Sequence, residues 1–73
     1  MATAAIIGEE LRIEGYWLAG ALVCPAESRY EAAAAWESLP TDTGVLIMTP
    51  SAADWLADRL RQRPELLTVV MRT

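Results

Sequence analysis

Four short apolar runs, "TAAII" (Thr3 to Ile7), "ALVC" (Ala21 to Cys24), "GVLIM" (Gly44 to Met48) and "LLTVVM" (Leu66 to Met71), are separated by longer segments of helix-forming residues. No other feature constrains the fold as much. The third and fourth runs are almost continuously apolar rather than alternating, which suits strands buried on both faces of a parallel sheet. Pro25, Pro40, Pro50 and Pro64 fall between the elements and punctuate the pattern. The helical segments run from Glu9 to Ala19, Glu27 to Leu39 and Ser51 to Arg63. Thr49 can cap the third, with Pro50 at its first helical position. Arg59, Arg61 and Arg63 collect at the negative end of its dipole. The expected architecture is one α/β domain over residues 1–73, a small three-layer Rossmann-like, receiver-like unit. Its four-stranded parallel sheet has order 2-1-3-4, with three helices and right-handed crossovers.

The helix faces separate core from surplus. Ala32, Ala33, Trp36 and Leu39 form one stripe on the second helix, and Ala52, Ala53, Leu56 and Leu60 form another on the third. The first helix has two apolar sides, one with Leu11, Gly15, Leu18 and Ala19, the other with Ile13, Tyr16, Trp17 and Gly20. One side packs on the sheet and the other is left over. Trp55 stands about one residue step off its own stripe. Two readings of Trp17 and Trp55 are open: they fold over the rim of a small domain, or they form a partner surface, where tryptophan is enriched.

Coverage of the sheet points to a location for that surface. Strands about 4.8 Å apart make a four-stranded sheet roughly 19 Å wide, whereas one helix with its side chains spans about 10–12 Å. In a 2-1-3-4 order, right-handedness puts the first helix alone on one face and the other two on the opposite face. The half-face over the third and fourth strands is therefore expected to stand open. The partner-binding candidates are Ile13, Tyr16, Trp17, Trp55, Val69 and Met71.

Composition removes several chemistries. A chain of 73 residues buries only about 60% of the surface its unfolded form exposes, so added coverage from a partner is useful. With 53% hydrophobic and 22% charged residues, the chain has the makings of a packed domain. The net charge is −4 and all six cations are scattered arginines, so no basic stripe exists to hold nucleic acid. The chain has no histidine and one cysteine, Cys24. That leaves no metal cage, no imidazole base beside a thiol and no internal disulfide, and a reducing cytoplasm is the expected setting. Cys24 is expected to behave as a small inert hydrophobe. There is no basic-then-apolar leader, and the longest uncharged stretch, Gly15 to Ala26, is too short to cross a membrane. A phospho-receiver would use the acidic pair Glu9 and Glu10, but Met48 and Thr49 stand in place of its aspartate and lysine is absent. A phosphate cradle at Gly8 would be repelled by the two glutamates that follow. The expectation is a protein that is not an enzyme and uses no cofactor.

Two segments carry a family resemblance. "AAIIGEE" with "EGYWLAGA", followed by "GVLIMTPSAADWL", resembles the F subunits of the rotary V/A-type (vacuolar/archaeal-type) ATPases and ATP synthases. The matching positions are Ile7, Gly8, Glu9, Gly15, Tyr16, Leu18, Ala19 and Gly20, and then Leu46, Ile47, Met48 and Thr49. The resemblance implies a non-catalytic component of the central stalk. It would bind the coiled-coil D subunit, beneath the catalytic A/B head and peripheral to the membrane, and help couple ATP turnover to ion transport. Members of that family usually continue into a C-terminal arm, which the resemblance does not cover. The positions of Trp17 and Trp55 tend to be polar or charged there, which suggests an added contact of this chain's own. The alternative expectation is a free-standing interaction module of the same fold, with a second copy of the chain on the open face.

Overall fold

The computed structural model describes residues 3–13 and 21–72. Strands β1 (Thr3–Gly8), β2 (Leu22–Pro25), β3 (Thr43–Met48) and β4 (Leu67–Val70) form one sheet in the order β2-β1-β3-β4. All three pairings are parallel. The helices are α1 (Glu10–Ile13), α2 (Arg29–Glu37), α3 (Pro50–Trp55) and α4 (Ala57–Leu60). The fold is the expected Rossmann-like α/β arrangement.

Side-chain alternation sorts the sheet into two faces, because residues paired across parallel strands point the same way. Ala5 and Ile7 of β1 pair with Leu46 and Met48 of β3. These four are buried in one cluster with Ala32, Trp36 and Leu39 from the α2 side and Ala52 and Leu56 from the α3 side. Ile6 and Ile13 are also fully buried but lie outside that cluster. They mark the opposite face, where α1 lies against β1 and β2. The layers are thus α1, sheet, and α2 with α3, as right-handed crossovers demand.

The caps explain where the second and third helices begin. The Ser28 hydroxyl accepts from the Glu31 N–H (3.2 Å), while the Glu31 carboxylate reaches back to the Glu27 N–H (2.8 Å). This reciprocal pairing resembles a capping box shifted by one residue. It starts α2 at Arg29, two residues later than the sequence pattern predicts. Thr49 caps α3 and Pro50 occupies its first turn, as expected.

Two expectations need correction. The third helical segment is not continuous, because Leu56, with φ −103° and ψ 6°, separates α3 from α4. The break lets adjacent residues turn inward together: Leu56 is fully buried, while Trp55 and Leu60 pack against the same cluster. An unbroken helix would rotate Trp55 about 100° away from Leu56. The second correction concerns α1, where Ile13 is the residue that packs on the sheet and Leu11 is 85% exposed. Ile13 therefore belongs to the core and not to a partner surface. The rotation of α1 gives contrasting costs for truncating its two apolar residues. Ile13→Ala is expected to lower unfolding stability by about 2–5 kcal/mol, and Leu11→Ala to change it by less than about 0.5 kcal/mol, both read from urea denaturation midpoints.

Candidate partner interface

In a parallel sheet of this order, β1 and β3 are the neighbours from which the chain departs in opposite directions. A ligand would enter the crevice beyond their C-terminal ends. Here that crevice is filled by the chain itself. The Thr49 N–H donates to the Ile7 carbonyl (3.2 Å), and the Ala26 N–H donates to the Gly8 carbonyl (2.8 Å). The fully buried Thr49 side chain sits against Gly8 so closely that a Cβ there would collide with its Cγ2 and come within 2.8 Å of its Oγ1. Glycine is required at this point by close approach. The Thr49 hydroxyl donates to Glu9 Oε1 (2.5 Å) and accepts from the Ala52 N–H (3.3 Å). One hydroxyl thus caps α3 and ties it to the end of β1.

That hydrogen bond holds the Glu9 carboxyl below the usual carboxylate range, against a partial desolvation that raises it. Its own backbone N–H, Ser51 and the charge of Arg12 add to the lowering. The neighbouring carboxylates are also committed to the backbone, Glu27 accepting from the Glu10 N–H at the start of α1 (2.7 Å). Among the described residues no group of three potential metal ligands comes together. Burial pushes the Cys24 thiol up, in keeping with an inert, half-buried side chain against the core.

The apolar surface lies elsewhere, on β4. Leu67 and Val69 pair with Val45 and Ile47 and so share the α1 face of the sheet. Yet α1 reaches only β1 and β2, and β4 has substantial contact with β3 alone. Leu67 is consequently 61% exposed and Val69 46% exposed, while Val70 on the other face is 51% exposed. The expected open half-face is present, and Val69 lies on it. Met71 is half-buried just beyond β4, its N–H bonded to the Met48 carbonyl (2.7 Å). Trp55 does not join them. It is half-buried against the cluster on the α2 and α3 face, which is the rim-packing alternative. Tyr16 and Trp17 lie outside the described residues.

Leu67 is an addition to the sequence-derived candidates, and alternation from Val69 along β4 is the signal that places it on the same face. No protein-family model matches the chain, and no curated protein matches it.

The Thr49 geometry sets a pH-dependent stability. Glu9 has a lowered carboxyl pKa in the fold, so its contribution is present above the unfolded carboxylate pKa and is lost as pH falls through the folded one. Thr49→Val removes both the cap and this hydrogen bond, and is expected to cost about 1–2 kcal/mol at neutral pH. Denaturation measured across the acid range should show the deficit shrinking as Glu9 protonates. A deficit independent of pH would separate Thr49 from Glu9.

Proposed function

We propose that this chain is a non-catalytic component of the central stalk of a rotary V/A-type ATPase or ATP synthase. In this reading it binds a coiled-coil partner through the open half-face of its sheet, which carries Leu67 and Val69. That half-face is the observation on which the reading rests. A four-residue apolar edge strand left this exposed in so small a domain is suited to burial against another chain.

The resemblance adds the identity of the partner. Its two segments, Ile7 to Glu9 and Leu46 to Thr49, are far apart in sequence but adjoin in the fold, where Glu9 and Thr49 share a hydrogen bond. Residues that carry the family likeness therefore hold the central strands in place, and none of them needs a chemical role to account for its position. The mechanism in this reading is mechanical: a stiff sheet-and-helix block lends shape and contact area to a rotor while nucleotide chemistry proceeds in other subunits. The setting would be cytoplasmic and peripheral to the membrane. No helix among the described residues is long and apolar enough to cross one.

Co-purification of this chain with the coiled-coil stalk protein encoded in the same genome tests the reading. A complex is expected, and Val69→Glu should weaken it at least about tenfold, equivalent to about 1.4 kcal/mol. Absence of a complex, or a complex indifferent to Val69→Glu, would overturn it.

A further inference from the structure

β4 is exposed in a second way that the stalk reading does not use. As an outer strand of the sheet it presents one backbone edge to solvent as well as both faces. The direction of its hydrogen bonds follows from a single contact. The Met71 N–H points inward to the Met48 carbonyl, so alternation turns the N–H groups of Leu67 and Val69 inward too. The N–H and C=O groups of Thr68 and Val70 then point outward. Nothing characteristic of a guarded edge is present, since Leu66 to Met71 contains no charge, no proline and no bulge against β3. The opposite outer strand, β2, contains Pro25.

We propose that β4 pairs antiparallel with β4 of a second copy of this chain, about a two-fold axis through Val69, joining the two sheets into one. Sidedness selects a second copy as occupant. A two-fold axis normal to the sheet keeps each face on its own side and pairs residues of like parity. With the axis at Val69, Thr68 exchanges both backbone bonds with Val70 of the second copy, and Val70 with its Thr68. Those are the residues whose groups point outward. On the open face the same register sets Val69 against Val69 and Leu67 against Met71 of the second copy, producing a continuous apolar row across the seam. One pairing therefore satisfies the bare edge and covers the exposed side chains together. The seam itself is uncharged, so a chain of net charge −4 meets its copy without like charges directly opposed. A single-strand seam buries well under about 800 Å² per partner, and the dimer is accordingly weak, with dissociation on the order of tens to hundreds of micromolar. It occupies the half-face a coiled coil would use, so the two associations compete.

The inference does not depend on the stalk reading, and its test uses the chain alone. Sedimentation equilibrium from micromolar to millimolar concentration should show reversible dimerisation. Thr68→Pro removes an outward N–H without touching the β3 ladder, a placement edge strands tolerate. It should abolish the dimer while leaving circular dichroism and any coiled-coil binding unchanged. Independently of that variant's folding, Val69→Cys in a Cys24→Ser background should form a disulfide dimer under mild oxidation. Facing residues at a non-hydrogen-bonded antiparallel site lie about 4.5 Å apart at Cα, within disulfide reach. Val70→Cys, opposite Thr68 instead of itself, should not cross-link. A chain monomeric at millimolar concentration, a dimer that persists in folded Thr68→Pro, or equal cross-linking at Val69 and Val70 would each overturn the proposal.

Discussion

The Thr49 hydroxyl, wedged against Gly8 and bonded to Glu9, joins the two central strands at the point where the chain changes direction across the sheet. Much of the rest depends on it. β1 and β3 must approach closely enough at their C-terminal ends for the Ile7 carbonyl to take the Thr49 N–H, and only a residue without a Cβ at Gly8 permits that approach. The same side chain starts α3, so the helix that covers the Ile7 and Met48 side is positioned by the strands it covers. A buried hydroxyl is costly to leave unpaired. Here it has both a donor and an acceptor role filled, and a polar atom in the middle of an apolar layer becomes a fixed point.

From that fixed point the uneven coverage of the sheet follows. Reversal between β1 and β3 sends α1 to one face alone and α2 with α3 to the other. The two-helix face is closed over Ala5, Ile7, Leu46 and Met48. On the one-helix face, Ile6 is closed by the α1 side, whereas Leu67 and Val69 are left to solvent. The asymmetry is a consequence of width: a sheet of four strands is broader than one helix. Any partner of this domain, whether rotor or second copy, gains most by burying what that geometry leaves bare.

Much of this is legible in the residues, and the parts that are not have identifiable causes. Near-continuous apolar runs in "GVLIM" and "LLTVVM" signal parallel strands, and handedness then restricts the topology. Thr49 followed by Pro50 marks a helix start, since cap and fixed φ agree. The rotation of α1 is not legible, because Leu11 and Ile13 are both apolar and only packing decides which one turns inward. Nor is the break at Leu56 visible, for Trp55 and Leu56 are ordinary helix residues whose shared burial depends on tertiary contact. Trp55 reads as a surface candidate in the sequence for the same reason. Val69 reads correctly as a residue of the open half-face because its exposure follows from topology and strand alternation, which sequence does encode.

Amide hydrogen exchange, resolved residue by residue at a concentration where the chain is monomeric, tests the dependence on the β1–β3 junction most directly. The Thr49 and Ala26 amides, bonded to Ile7 and Gly8, should fall among the slowest in the molecule and exchange only through global unfolding. The outward amides of Thr68 and Val70 should exchange with little protection. If Thr49 and Ala26 exchanged as fast as Thr68 and Val70, the junction would not be what holds the sheet together.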